Sequence, residues 1–207
     1  MTTKSAICFL LLGASVALGA ERDAAKFSDH AAQSAKLLSD RIKTELRGLT
    51  NHPWAGDYYR GDVYDTITLV LAPEAGYVFE WHGCLGVYDR NYGLVTTTNG
   101  AIRLSVTFPN PGKGFEKMAQ ELIPVPWGDR RYLIPTDDVI GFCNCVNDGF
   151  EPRTCGAGFH LLRRGDEKKS VSGFPSVPAD YRAYLLTTPI NAVITGIGSA
   201  TTRPSVC

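Results

Sequence analysis

Apolar and polar residues alternate in two stretches near the middle of the chain, and each alternation predicts a β-hairpin. In the first hairpin, residues 66–72 and 76–82 flank a short turn. The register that aligns the apolar positions pairs Leu71 with Tyr77, Leu69 with Phe79, and Ile67 with Trp81. The opposite face then carries Val70 with Val78, Thr68 with Glu80, and Thr66 with His82. A slip of one residue would misalign both faces, so the pattern specifies the register.

The second hairpin is centred on Asn99-Gly100, a dipeptide that favours the type I′ turn because both central residues must adopt positive φ. This turn places two pairs on one face of the hairpin, Thr97 with Ile102 and Val95 with Leu104. Thr96 and Arg103 fall on the other face. Both hairpins thus have an apolar face and a more polar face, which is typical of antiparallel sheets that are covered on one side.

Residues 22–48 have a helical rather than an alternating pattern. Their apolar residues recur every three or four positions and form one stripe: Phe27, Ala31, Ala35, Leu38, Ile42, Leu46 and Leu49. Such a stripe is typical of a helix that packs against its own domain, and a partner helix is the alternative interpretation.

The second half of the chain contains shorter elements. Strands are predicted over residues 118–127, 131–134, 160–164 and 190–197, and helical segments over 137–147 and 178–185. We therefore expect a mainly β fold, an antiparallel meander or an incomplete barrel, with an N-terminal amphipathic helix and one or two short helices. The expected parts are a helical segment at residues 21–50, a single β-rich domain at 51–200 and a tail at 201–207.

The first 20 residues predict export. Lys4 precedes an apolar run that is shorter than the roughly 20 residues a membrane span requires, and small residues follow at Ala17, Gly19 and Ala20. This order is that of a secretory signal peptide over residues 1–20. We expect a periplasmic or extracellular protein with no membrane span after cleavage.

Export changes the interpretation of the cysteines, because disulfides form in oxidising compartments. The turn-rich segment between Cys145 and Cys155 favours a disulfide between these two residues. Cys143 is then either a buried thiol or the partner of Cys84. No metal site is expected, since Cys143 and Cys145 would lie about 200° apart around a helix and no Cys-x-x-Cys motif is present.

The charge balance restricts the partners. The chain has 21 basic and 21 acidic residues, and removal of residues 1–20 takes away only one charge, that of Lys4. A nearly neutral protein is not expected to bind nucleic acid or an anionic membrane surface as its main partner. No cofactor is expected, because the sequence contains neither a phosphate-binding loop nor a dinucleotide fingerprint.

The densest run of aromatic, glycine and charged residues extends from Tyr77 to Gly93. Within this run, Glu80 and His82 share one strand face, and a carboxylate beside an imidazole can support acid–base catalysis. These two residues are the candidate catalytic residues. An ordinary solvated face of the sheet is the alternative interpretation.

The same run supplies candidates for ligand binding. Asp89-Arg90-Asn91 is predicted to form a turn between Gly86 and Gly93, and this turn either caps its own backbone or contacts a polar ligand. Aromatic residues on both sides would add an apolar surface. The candidate ligand-binding residues are Trp81, Tyr88, Asp89, Arg90 and Tyr92.

Three phrases of the sequence resemble those of an uncharacterised family of bacterial exported proteins: Trp54-Ala-Gly-Asp-Tyr-Tyr, Phe79-Glu-Trp-His-Gly-Cys-Leu-Gly and Trp127-Gly-Asp-Arg-Arg-Tyr-Leu-Ile. This resemblance implies export and no particular chemistry. The start of the β region is also similar to lipocalin-like β-barrels, although lipocalins place glycine before tryptophan and here Trp54 precedes Gly56. The second resemblance covers only the middle of the chain and transfers no functional residue.

Three functional hypotheses follow. The preferred one is a non-enzymatic exported protein, either envelope-associated or binding a small apolar or aromatic ligand. The first alternative is a hydrolase that uses Glu80 and His82. The second alternative is a structural or interaction domain that pairs through Cys207 or the N-terminal helix. The sequence specifies neither the ligand nor the oligomeric state.

Overall fold

The computed structural model describes residues 29–61, 66–107, 118–155 and 159–186. The chain divides into two compact units, Met1–Leu37 and Leu38–Cys207. The signal peptide predicted at residues 1–20, the strand predicted at residues 190–197 and the tail lie outside the described residues. Helix α1 occupies residues 29–46, within the segment where the amphipathic pattern predicts a helix.

The described residues of the second unit form eight strands: β1 Gly56–Gly61, β2 Thr66–Ala72, β3 Gly76–Gly83, β4 Gly86–Thr98, β5 Ala101–Val106, β6 Glu121–Trp127, β7 Arg130–Pro135 and β8 Leu161–Arg163. Each strand pairs antiparallel with the next, and β8 pairs with β1. The mainly β fold is therefore confirmed, and the barrel is closed rather than incomplete. Closure leaves none of these eight described strands at a free edge of the sheet.

The two predicted hairpins have the predicted registers. Leu69 lies opposite Phe79 and Ile67 opposite Trp81 across β2 and β3. The turn between β4 and β5 has positive φ at both Asn99 and Gly100, as a type I′ turn requires. The alternation of side chains in these hairpins determines which residues face the barrel interior.

An apolar cluster lies in the barrel interior. Its members are Tyr58, Ile67, Leu69, Leu71, Tyr77, Phe79, Ile102, Leu104, Met118, Leu122, Leu133 and Leu161. Trp81 and Val95 pack against this cluster but are only partly buried. An eight-stranded barrel of this kind is just wide enough for side chains to fill it or for one small ligand to bind.

A second apolar cluster lies outside the barrel, on β6, β7 and β8. Helix α2, Val139–Asn147, covers these strands with an apolar stripe: Val139, Phe142, Cys143 and Val146. Residues 171–185, which include a 3-10 helix at Ala179–Tyr184, pack against the same cluster through Val177, Tyr181 and Leu185. The prediction of a helical turn near residues 178–185 is confirmed.

The last turns of α1 lie against the β2–β3 turn, at one end of the barrel. Both carboxylate oxygens of Glu45 accept hydrogen bonds there, from the backbone N–H groups of Glu74 and Ala75 at 3.0 and 2.7 Å. Ile42 is fully buried. Within the described residues, no helix is both long enough and apolar enough to cross a membrane.

Candidate functional site

The β3–β4 hairpin contains all of the residues that the sequence nominated for catalysis or ligand binding. Asp89-Arg90-Asn91 lies within the 13-residue strand β4, so the prediction of a turn at these residues is wrong. The turn is instead at Cys84 and Leu85. A bulge between Trp81 and His82 shifts the register, so that Trp81 pairs with Asp89 but His82 pairs with Val87.

Gly93 also has a different role from the one expected of a turn glycine. A Cβ atom at this position would lie 1.9 Å from the backbone oxygen of Ser105 on β5. Glycine is therefore required here because two strands approach closely, and not because the chain turns.

Glu80, His82 and Arg90 form a charged cluster on the outer face of the barrel. Glu80 Oε2 lies 3.0 Å from His82 Nε2, and Glu80 Oε1 accepts a hydrogen bond from Arg90 Nε at 2.6 Å. Burial raises the pKa of Glu80, but hydrogen bonds from Arg90 and His82 outweigh burial and lower it. Glu80 is thus a stabilised carboxylate that is shared between two basic side chains.

Trp81 and Tyr88 form an aromatic pair at the end of the barrel where β3 turns into β4. Their rings are 5.5 Å apart in an edge-to-face arrangement, and Tyr88 is half exposed. The Tyr88 ring lies over Gly83, where a Cβ atom would come within 2.0 Å of it. Leu85 and Val87 extend the exposed apolar surface of this end of the hairpin.

Asp89 and Asn91 point into the barrel, because they lie directly opposite Trp81 and Phe79 on β3. Asp89 is 6% exposed and Asn91 is fully buried. Asn91 Nδ2 donates to both carboxylate oxygens of Asp89 at 3.3 Å. The amide oxygen Oδ1 of Asn91 has no hydrogen-bond partner among the described residues.

The carboxylate fixes the orientation of the Asn91 amide. With the amide reversed, Oδ1 would face the Asp89 oxygens, and two acceptors would repel each other. Asn91 Oδ1 is therefore a hydrogen-bond acceptor on the inner side of the barrel. Burial raises the pKa of Tyr77, and the negative charge of Asp89 raises this pKa further.

Tyr58 brings a second such polar atom into the interior. Tyr58, Leu69, Phe79 and Asn91 occupy one row across β1, β2, β3 and β4. The Tyr58 hydroxyl is buried and, within the part of the chain that the structure describes, forms no hydrogen bond. Burial also raises the pKa of Tyr58, so the group is a neutral hydroxyl at physiological pH.

Arg130 and Asp166, two buried polar side chains outside the barrel, differ from Asn91 and Tyr58. Arg130 donates to the backbone oxygens of Glu167 and Lys169 and to the carboxylate of Glu151. Asp166 accepts a hydrogen bond from the backbone N–H of Arg131 at 2.9 Å. These contacts hold loops against the barrel wall, so the residues have a structural role that accounts for their burial.

The five predicted ligand-binding residues do not come together at one site. Trp81 and Asp89 face the interior and Tyr88 packs on Trp81, whereas Arg90 and Tyr92 lie on the outer face with their partners Glu80 and Val78 on β3. Sequence reasoning omitted Asn91 from the candidates. The pairing of Phe79 and Trp81 with β4 would have identified it, if residues 86–93 had been recognised as a strand.

The cysteine predictions hold where the structure describes them. Cys145 and Cys155 form a disulfide, with their Cα atoms 6.0 Å apart. Cys143 is a buried free thiol and not the partner of Cys84, and burial raises the pKa of this thiol. Among the described ranges, no group of three or more potential metal-ligating side chains is found.

Comparison with known proteins finds no match from which a family or a function could be assigned. No protein-family model matches the chain, and no curated protein and no solved structure is significantly similar to it.

Proposed function

We propose that this protein is an exported, non-enzymatic protein that binds a small, largely apolar or aromatic ligand inside its β-barrel. The observation that carries the proposal is that two buried polar atoms on the inner side of the barrel, Asn91 Oδ1 and the Tyr58 hydroxyl, have no hydrogen-bond partner within the described residues, although they lie among apolar side chains. The proposed ligand would form hydrogen bonds with these two atoms and contact the aromatic side chains of Trp81 and Tyr88.

The energetic argument is that unpartnered polar groups oppose folding. A buried donor or acceptor that loses its hydrogen bond with water costs about 1–3 kcal/mol. Leucine would be of similar size to Asn91 and would avoid this cost. Polar groups that are buried at such a cost are concentrated at functional sites.

Trp81 and Tyr88 support a binding site at the same end of the hairpin. Trp81 packs on the interior cluster but is partly exposed, and its neighbour Tyr88 is half exposed. Aromatic side chains with both apolar surface and solvent contact are typical of ligand-binding surfaces. Asp89 lies directly opposite Trp81, so the aromatic pair of Trp81 and Tyr88 is adjacent to the polar pair of Asp89 and Asn91.

Export is supported by the apolar N-terminal run and by the Cys145–Cys155 disulfide, because such bonds persist in oxidising compartments. Periplasmic or extracellular localisation remains part of the proposal.

The hydrolase alternative receives less support. Glu80 and His82 are close enough to cooperate, but Arg90 holds the same carboxylate, and all three side chains lie on the outer face of the barrel. A structural ion cluster accounts for this arrangement. The interaction-domain alternative has no specific observation in its favour among the described residues.

The proposal is tested by titrating the purified protein with N-phenyl-1-naphthylamine, an apolar aromatic amine whose fluorescence rises in apolar surroundings. We expect saturable binding of one molecule per chain. Trp81→Ala should weaken binding about tenfold, because it removes an aromatic contact at the site. Tyr184→Ala is the control, since Tyr184 is similarly exposed but lies on the 3-10 helix outside the barrel. Absence of saturation, or equal effects of the two substitutions, would contradict the proposal.

A further inference from the structure

We propose that the ligand is a small hydroxylated carboxylic acid, whose carboxylate binds Arg163 and the Tyr58 hydroxyl and whose own hydroxyl donates to Asn91 Oδ1. This inference rests on the proposed function and specifies the class of its ligand.

The argument begins with a row of side chains that crosses five strands on the inner side of the barrel. Each member lies directly opposite the next, from β8 through β1, β2 and β3 to β4: Arg163, Tyr58, Leu69, Phe79 and Asn91. Successive side chains of a strand point to opposite faces. Leu161 belongs to the interior cluster and Leu162 to the outer one, so Arg163 is on the inner side. Polar groups therefore occupy both ends of the row, and apolar side chains occupy its middle.

Arg163 is a positive charge at one end of this row. It is partly buried, and within the described residues its guanidinium forms no hydrogen bond and no ion pair. The next residue, Arg164, differs because it pairs with Asp57 on the outer face at 3.0 Å. Asp166, whose backbone N–H donates to the Arg163 carbonyl, has its own partner in Lys169. A partly buried guanidinium is well suited to bind a carboxylate, because its N–H groups match the two oxygens.

The Tyr58 hydroxyl can donate to the same carboxylate. A Cβ atom at Gly56 would lie 3.0 Å from Arg163 Nε and 3.2 Å from Tyr58 Cε2, so the glycine leaves room for these two side chains to lie side by side. Burial raises the pKa of Tyr58, although the positive charge of Arg163 acts in the opposite direction. The hydroxyl therefore keeps its proton and can donate it to an acceptor.

Asn91 determines which end of the ligand lies on β4. Its Nδ2 donates to the Asp89 carboxylate, so Oδ1 is an acceptor. A ligand carboxylate is also only an acceptor and cannot bond to this atom, whereas a ligand hydroxyl can donate to it. The carboxylate is therefore expected at Arg163 and the hydroxyl at Asn91.

The middle of the row indicates the body of the ligand. Leu69 and Phe79 are fully buried apolar side chains between the two polar ends. Neighbouring strands are about 4.8 Å apart, so Tyr58 and Asn91 are about 14 Å apart along the wall. Their side chains extend inward from a curved wall, which shortens the distance between their polar atoms. The ligand is thus expected to have a short apolar body, such as one aromatic ring.

The inference is tested on the full mature protein with four molecules that carry both polar groups, one of them or neither: 3-(4-hydroxyphenyl)propionate, 3-phenylpropionate, 4-propylphenol and propylbenzene. Dissociation constants are measured by competition with N-phenyl-1-naphthylamine. We expect each polar group to tighten binding about tenfold, so that the hydroxylated acid binds most tightly and propylbenzene most weakly.

Two substitutions assign the polar groups of the ligand to the two ends of the row. Arg163→Met keeps a long side chain but removes the charge, and it should abolish the advantage of 3-phenylpropionate over propylbenzene. Asn91→Leu removes the acceptor and should abolish only the advantage of 4-propylphenol over propylbenzene. Arg164→Met is the control, because Arg164 lies on the outer face and should affect neither advantage. Circular dichroism spectra and thermal melts establish that each variant is folded. If a variant does not fold, the ranking of the four molecules on the wild-type protein still decides.

The outcomes distinguish this inference from the proposed function. If the fluorophore binds but propylbenzene competes as well as the hydroxylated acid, the barrel binds apolar ligands and the assignment of a hydroxylated acid is wrong. A carboxylate advantage that survives Arg163→Met, or that Arg164→Met removes equally, would also overturn the assignment. If the fluorophore binds and none of the four molecules displaces it, the inference fails and the proposed function stands. If the fluorophore does not bind either, the proposed function fails as well.

Discussion

Phe79 and Trp81 occupy successive inward positions of β3 but differ in burial. Phe79 is fully buried, whereas Trp81 is partly exposed at the end of the barrel. Phe79→Ala should therefore reduce the free energy of unfolding by about 3–5 kcal/mol. Trp81→Ala should cost less, about 1–3 kcal/mol, because less apolar surface is lost from the interior. Urea melts of both variants test this order, and a larger loss for Trp81→Ala would show that Trp81 belongs to the core and not to the rim.

Glu80 makes the stability of the protein depend on pH. Its pKa in the folded protein lies below the ordinary value of 4.5, because the hydrogen bonds from Arg90 and His82 outweigh burial. The contribution of the carboxylate is therefore complete above that value and is lost as the pH falls through the lowered pKa.

Glu80→Gln should cost about 1 kcal/mol at pH 7, and the stabilities of the variant and the wild type should converge as the pH falls below about 4.5. Urea melts across this range provide the measurement. Glu121→Gln is the control, because its pair with Arg103 is more exposed and should contribute little at neutral pH. A difference at Glu80 that persists unchanged at low pH would refute the assigned cause.

Asn91 shows why part of the site could not be found from the sequence. The run from Gly86 to Gly93 contains three charged or amide residues in succession, and this composition favours a turn. In the structure, β4 pairs with β3 on both sides of a bulge at Trp81 and His82. Gly93 lies where two strands approach closely. Both features depend on contacts between strands, which the local sequence does not reveal.

Among the elements, the segment between Cys145 and Cys155 connects the end of α2 to the chain that leads into β8. The disulfide closes a loop with a sequence separation of 10 residues. Replacing both cysteines by serine should destabilise the protein by about 3 kcal/mol, the value expected for a loop of this size. Urea melts of the double variant and the wild type test this value, with Cys143→Ala as a control that leaves the disulfide intact. A loss of less than about 1 kcal/mol would mean that the bridge restrains the unfolded chain very little.

The two hairpins were predictable because strict alternation and the Asn99-Gly100 turn act over a few residues. The same is true of the α2 stripe, which the periodicity of its apolar residues identifies. Strand β8 was predicted two residues too long, because only Leu161–Arg163 pairs with its neighbours. Local patterns thus identify elements well and their ends less well.

At the scale of the whole molecule, closure of the barrel depends on that short strand. Tyr58 and Tyr59 of β1 pair with β8 on one side and with β2 on the other, although β1 and β8 are far apart in the sequence. No local pattern encodes this pairing, so the sequence predicts a meander or an incomplete barrel equally well. Closure places Tyr58 and Asn91 in one enclosed interior and thereby creates the candidate site.

The most direct test of the central claim is to locate the ligand. The ¹H–¹⁵N correlation spectrum of labelled protein is recorded during titration with N-phenyl-1-naphthylamine. We expect saturable shifts of the Asn91 side-chain amide and the Trp81 indole N–H. The Trp127 indole N–H, which donates to Gly173 on the outer side of the barrel at 2.9 Å, should not move. Shifts confined to Trp127 and its surroundings, with the Asn91 amide unchanged at saturation, would contradict binding inside the barrel.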